Sequence, residues 1–261
     1  MLRTRVWTAL VGLPLVLALV LFAPNRWFAA FVGLLTAWGL YEVLAMTAAH
    51  TAVALCALLV GGSCSAALVS YAPGRLWFIP CAVILAMLAL TFRVGADPSS
   101  STRPDAGLTL LGATYVGALF PYFALVRNRP GGVSILVLIL LLAMASDTGA
   151  YLVGSRLGKT ELAPRISPKK TVEGAIGGLG LCIIAGLILH TPLVPKLDTG
   201  QLVMLSAATG VLAQFGDLAG SALKRRAGVK DSGWILPGHG GLLDRTCSLV
   251  FATVLTYYCI G

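Results

Sequence analysis

Nine apolar stretches follow one another along the chain, at approximately residues 7–23, 27–46, 51–72, 76–92, 106–126, 132–153, 172–195, 200–223 and 241–260. A helix needs about 20 apolar residues to cross the hydrocarbon core of a bilayer, with a working range of about 17–25. The fourth stretch is short, and boundaries read in this way hold to a few residues. The expected fold is all-α: a polytopic integral membrane protein of about nine transmembrane helices. Hydrophobic residues make up 57% of the 261 and charged residues 11%, where a soluble protein carries roughly 25% charged. A disordered chain, a secreted disulfide scaffold and a nucleic-acid-binding domain are all poor fits. The first stretch follows Arg3 and Arg5 but has no convincing small-residue cleavage site, and eight more follow it. It reads as a retained anchor, not a signal peptide.

The net charge of +9 has two readings: positive-inside topology with attraction to anionic lipid, or a site for a polyanion. With the N-terminus in the cytoplasm, the inside loops hold 13 basic residues and the outside loops 5. That bias supports the orientation. Five of the six cysteines (Cys56, Cys64, Cys81, Cys182 and Cys259) lie in apolar runs and are expected to be small buried hydrophobes. No Cys-x-x-Cys pair suggests zinc or redox chemistry. Residues 1–126 read as a transmembrane scaffold, with Glu42 the only acid inside a span. Residues 127–261 read as the catalytic region, because ionisable residues enter the spans there and the long loops become rich in Gly, Pro, Lys and Arg.

Three aspartates, Asp147, Asp217 and Asp244, lie inside or at the ends of spans on the inferred cytoplasmic side. Each costs a few kcal/mol in a membrane helix and needs a partner or a function. Asp217, Ser221 and Lys224 fall at i, i+4 and i+7, on one helical face, as do Asp244, Cys247 and Ser248 at i, i+3 and i+4. Two carboxylates on adjacent helices suit a hard cation such as Mg²⁺, which takes oxygen ligands. Between them runs Lys224-Arg225-Arg226, then Lys230-Asp231, then Pro237-Gly238-His239-Gly240-Gly241, opening into a helix. Basic side chains, glycines and a helix N-terminus together suit a polyanion. The loop after Asp147 carries Gly154-Ser-Arg-Leu-Gly158-Lys159-Thr160, which is one residue short of a Walker A spacing and has no soluble βαβ unit around it, so the P-loop reading is rejected. Ser167-Pro-Lys169-Lys170-Thr171-Val-Glu173 reads as a basic phosphate contact leading into a helix, with Glu173 near its first turn.

Ser221-Ala-Leu-Lys224-Arg225, then Lys230-Asp231-Ser-Gly, then Leu236-Pro237-Gly238-His239-Gly240-Gly241-Leu-Leu-Asp244-Arg245 resembles the signature of the phosphatidate cytidylyltransferases (CDP-diacylglycerol synthases). Asp147-Thr-Gly-Ala-Tyr151 and Ser167-Pro-Lys-Lys-Thr171 are similar to two further stretches of that family, so the likeness spans about residues 146–248. The resemblance implies condensation of CTP with phosphatidate, giving CDP-diacylglycerol and pyrophosphate at an Mg²⁺-dependent site in the inner or plasma membrane that faces the cytoplasm. It implies metal-ligand roles for Asp217 and Asp244. Where the family signature ends Asp-Arg-x-Asp-Ser, this chain has Asp244-Arg245-Thr246-Cys247-Ser248. A neutral thiol is no hard-cation ligand.

On this reading Lys224, Arg225, Lys230 and Arg245 hold phosphates, and His239 donates a hydrogen bond beside Gly240 and Gly241 in the turn around the triphosphate. Lys169 and Lys170 meet the lipid headgroup or the nucleotide. Asp147 is either a further substrate or metal contact or, with Tyr151, a loop-ordering residue. Three rivals stand beside it: a transporter or flippase for an anionic lipid, a CMP transferase for another lipid phosphate, and a weakly active relative marked by Cys247. A second, monovalent cation and a homodimer stay open, and no nucleic acid partner is expected.

Overall fold

The computed structural model describes residues 2–47, 51–70, 76–96, 106–235 and 240–260. His239, with Pro237 and Gly238, lies outside the described residues, as do the loop arginines Arg75 and Arg103. The helices are α1 (Leu2–Phe22), α2 (Asn25–Thr47), α3 (Thr51–Ser70), α4 (Phe78–Ala96), α5 (Ala106–Leu119), α6 (Tyr122–Arg127), α7 (Gly132–Leu157), α8 (Val172–Leu193), α9 (Thr199–Arg226) and α10 (Leu243–Cys259). Each expected span contains a helix. The fifth is split: Pro121 has no N–H to continue the ladder, and α6 restarts with Ala124 and Leu125 donating to its carbonyl. Among the described residues six helical segments are long and apolar enough to cross a membrane: α2, α4, α5 with α6, α7, α8 and α9. The protein is a polytopic membrane protein.

The all-helical expectation needs one amendment. Between α7 and α8 the chain forms an antiparallel hairpin, β1 (Glu161–Ala163) and β2 (Ser167–Thr171), with Glu161 opposite Thr171. Glu173, in the first turn of α8, accepts from the amides of Lys159 and Thr160 and from the Thr160 hydroxyl at 3.0–3.2 Å. Thr171 caps the same helix by accepting from the Gly174 amide at 3.1 Å. The Ser167–Glu173 stretch thus ends a strand and starts a helix.

In lipid the hydrophobic effect gives no force between spans, so close backbone approach through small residues does the packing. The α7–α8 pair shows this. A Cβ on Gly149 would come within 2.6 Å of the Gly177 carbonyl oxygen, and one on Gly177 within 2.3 Å of Val153. Large apolar side chains such as Leu34, Leu59, Phe92, Ile188 and Met204 stay exposed on the outer surface, facing acyl chains in a bilayer. The cysteine expectation is corrected here: of the five in apolar runs only Cys182 is buried, while Cys56, Cys81 and Cys259 are exposed and Cys64 is intermediate. An apolar run does not distinguish the lipid-facing side of a helix from the packed one, because both are apolar.

Polar contacts tie the helices together at the two ends of the bundle. At one end Arg127, buried, donates to the Val20 carbonyl (3.0 Å), the Ala23 carbonyl and Asn25 Oδ1 (2.5 Å), and Arg129 donates to the Ile260 carbonyl. At the other end Arg165 in the hairpin turn donates to the carbonyls of Gly95 and Ala96. Arg225 donates to the Ile166 carbonyl at 3.2 Å, and Val94, Ile166, Leu218 and Ala222 pack together. The main core is continuous across residue 126, joining Val43 and Val116 to Leu223 and Phe251.

Candidate active site

The second end carries both lysine–aspartate pairs. Helix α9 begins with a capping box, Asp198 accepting from the Gly200 amide and Gln201 from the Asp198 amide. It then runs 28 residues to a last turn containing Lys224, Arg225 and Arg226, a favourable place for cations near the negative end of the helix dipole. Asp217 pairs with Lys170 of β2 at 2.6 Å, and both side chains are partly exposed, 43% and 26%. Lys224 pairs with Asp244 Oδ1, and that pair is more enclosed, 16% and 8%.

Asp244 is heavily engaged. Its Oδ2 accepts from the Gly241 amide (2.9 Å), the Ser232 amide (3.0 Å) and the Ser232 hydroxyl (3.1 Å). The amides of Leu242 and Leu243, which open α10, donate to Glu42 of α2 at 2.7 and 3.0 Å. The helix N-terminus read from sequence as a phosphate cradle is therefore occupied by two carboxylates. The glycines fit that duty. Gly240 has φ +86°, and a Cβ there would come within 2.7 Å of Asp244 Oδ2.

Beside this centre lies a cavity of about 210 Å³ lined by Asp147, Ala150, Tyr151, Leu162, Lys169, Lys170, Thr171, Gly174, Ala175 and Gln214. It gathers three of the sequence candidates, Asp147, Lys169 and Lys170, and Lys170 continues from it to Asp217. Asp147 lies within electrostatic reach of Asp217, Lys170 and Arg245. Cys247, buried, lies within electrostatic reach of Asp217, Lys224 and Asp244. Its sulfur rests where a side chain on Gly220 would be, 2.4 Å from that Cβ position.

The other candidates fall at varying distances from this centre. Arg225 is turned to backbone carbonyls, those of Ile166 and Val229, so its guanidinium fastens the hairpin to the end of α9. Lys230 is exposed on the loop, and Ser221 is half-buried on the Asp217–Lys224 face. Sequence reasoning passed over Ser232, which touches both Glu42 and Asp244, and Glu42 itself. The signal for Glu42 was present: it is an ionisable residue inside a span, and such residues are functional candidates by default.

Among the described residues no three His, Cys, Asp or Glu side chains gather into a metal cage. Magnesium needs no such cage, because it takes one or two carboxylates and completes its shell with water and phosphate oxygens. Asp217 and Asp244 each already hold a lysine ammonium. Their hard oxygen donors suit a cation.

Fold and centre together define a polytopic membrane protein with paired lysines and aspartates collected at one end of its bundle. The chain belongs to the cytidylyltransferase family, whose model matches residues 3–261. It is 38% identical to the phosphatidate cytidylyltransferase of Bacillus subtilis (strain 168) over 181 residues, covering 69% of this chain and 67% of the other. It is 33% identical to the phosphatidate cytidylyltransferase of Synechocystis sp. over 292 aligned residues, 97% of this chain and 94% of the other. It is also 33% identical to the uncharacterized protein YnbB of Escherichia coli (strain K12) over 275 residues, 99% and 86% of the two chains.

Proposed function

We propose that this chain condenses CTP with phosphatidate to give CDP-diacylglycerol and pyrophosphate, with its charged end facing the cytoplasm of the inner or plasma membrane. The observation that carries the reading is the cavity holding Asp147, Lys169 and Lys170 next to the Lys170–Asp217 pair, in a chain similar over nearly its whole length to a phosphatidate cytidylyltransferase. The cytoplasmic orientation rests on the 13-to-5 bias of basic residues between the two sets of loops.

In the reaction a phosphatidate phosphate oxygen attacks the α-phosphorus of CTP. The bond from the α-phosphorus to the bridging oxygen breaks, and pyrophosphate leaves with the electron pair. The nucleophile is ionised at neutral pH, so alignment and charge neutralisation are the main tasks. Lys169, Lys170, Lys224 and Arg245 supply the positive charge. The two ion pairs differ in how readily they exchange partners. A partly exposed pair such as Lys170–Asp217 is worth about 0–1 kcal/mol, so an incoming phosphate takes Lys170 and releases the Asp217 carboxylate. The enclosed Lys224–Asp244 pair stays together and keeps the loop in place. Mg²⁺ would be held by the Asp217 carboxylate that Lys170 releases, and by Asp244 once one of its loop donors gives way, and there it would neutralise phosphate oxygens and stabilise the departing pyrophosphate.

The test uses purified protein in lipid with labelled CTP and phosphatidate, with and without Mg²⁺, following label that partitions into organic solvent. Label should appear in CDP-diacylglycerol only when both substrates and the metal are present. A folded protein that yields none refutes the proposal.

A further inference from the structure

We infer that Glu42 is a positioning residue for Asp244, supplied to the centre from the N-terminal half of the chain. The inference rests on the reaction proposed above. Glu42 is 2% exposed, and each of its carboxylate oxygens takes two donors. Oε1 accepts from the Leu242 amide at 2.7 Å and from Trp38 Nε1 at 3.1 Å. Oε2 accepts from the Leu243 amide at 3.0 Å and the Ser232 hydroxyl at 2.8 Å.

Three observations make this more than a buried acid that has found partners. First, α10 has no side-chain cap of its own, because its N-cap is Leu242. The free amides at a helix start need acceptors, and those of Leu242 and Leu243 find theirs on another helix. Glu42 thus sets where α10 begins, and Asp244 is in its first turn. Second, the Ser232 hydroxyl lies 2.8 Å from Glu42 and 3.1 Å from Asp244. A hydroxyl has one proton to donate, so the two carboxylates share it and their positions are linked. Third, the loop glycines are shaped to this carboxylate. A Cβ on Gly241 would come within 2.6 Å of Glu42 Oε2, and one on Gly233 within 2.8 Å of Glu42 Oε1. Glu42 reaches no cavity lining named above, so it acts on the chemistry through Asp244 and the loop.

The test compares wild type with Glu42→Gln and Ser232→Ala. Glutamine keeps the shape but brings an amide donor against groups that are themselves donors. Two readouts are taken: kcat and KM for both substrates, and hydrogen–deuterium exchange over the peptide containing residues 240–247. Glu42→Gln should lower kcat about tenfold or more with KM changed less than about threefold, as expected for a group that aligns the reacting centre instead of binding substrate. It should speed exchange of the Gly241, Leu242 and Leu243 amides about tenfold or more while α9 stays protected. Ser232→Ala, which removes one hydroxyl and little volume, should lower kcat about threefold to tenfold with KM again preserved. Unchanged amide exchange in Glu42→Gln overturns the inference, and so does faster exchange with wild-type kcat. If Glu42→Gln does not fold, a wild-type kcat in Ser232→Ala overturns it. A wild type without turnover defeats the proposed reaction alone, and the exchange comparison still decides whether Glu42 holds the start of α10.

Discussion

Breaking the Lys224–Asp244 pair from either side should be costly, and breaking it from both sides should cost less than the sum. Side-chain exposures of 16% and 8% put the pair near the buried limit, where removing one partner costs about 3–5 kcal/mol against about 0–1 at a surface. The pair sits at the end of the bundle beside an open loop, so a discounted figure of about 2–4 kcal/mol for the stranded charge is reasonable. Asp244→Asn carries a further burden. The carboxylate faces Lys224 with one oxygen and three donors with the other, and the amide group of Asn satisfies only one of those sides. An unmet buried hydrogen bond adds about 1–3 kcal/mol. Asp244→Asn is therefore expected to lose about 3–5 kcal/mol, and Lys224→Met, which leaves the three loop donors in place, about 2–3. The double variant has no stranded charge and should recover about 2 kcal/mol of the summed loss. Denaturant unfolding in detergent, followed by tryptophan emission, measures all four corners of the cycle. Turnover should be lost in Asp244→Asn, with membrane insertion intact, and should not return in the double variant. Strict additivity, with coupling below about 0.5 kcal/mol, would refute the claim that these two charges hold each other.

Two other predictions concern the loop and the thiol. Gly241→Ala places a methyl 2.1 Å from Ser232 Oγ and 2.6 Å from Glu42 Oε2 and should both destabilise the protein by about 2 kcal/mol or more and abolish activity. Gly180→Ala on α8 meets nothing within 4 Å and should be neutral or stabilising by up to about 1 kcal/mol, so equal thermal shifts for the two would show that the loop is not packed as described. Cys247→Asp is expected to raise Mg²⁺-dependent turnover while lowering thermal stability, because the new carboxylate enters a buried position near Asp217 and Asp244. A fall in turnover would mean that the pocket is fitted to the thiol.

The spans were legible because length and apolarity alone decide whether a segment crosses a bilayer. Pro121 splits the fifth because of its missing donor, while the hairpin left no trace: strands of three and five residues, one containing Pro168, have too little alternation to register. The cluster of Asp147, Lys169, Lys170 and Asp217 was legible as residue types on one side of the membrane, but the pairing of Lys170 with Asp217 is a tertiary fact. The glycines of the 240–241 turn signalled close approach correctly. They did not say what approaches, and carboxylates fill the place given to phosphate. Glu42 was visible as an acid inside a span, but its partners Leu242 and Leu243 lie 200 and 201 positions further along, beyond any local pattern.

That separation has a consequence for how the protein is made. Membrane chains are inserted from the N-terminus, so α2 enters the bilayer long before α10 exists. During that interval Trp38, one turn back on the same helix, is the first of these four partners of Glu42 to be present, since Ser232, Leu242 and Leu243 have yet to be synthesised. The last helix therefore does more than complete the bundle: its arrival relieves an acid that the membrane has tolerated since the second crossing. A ribosome that stops before residue 242 releases a chain with most of its spans and a Glu42 carboxylate short of two of its four donors.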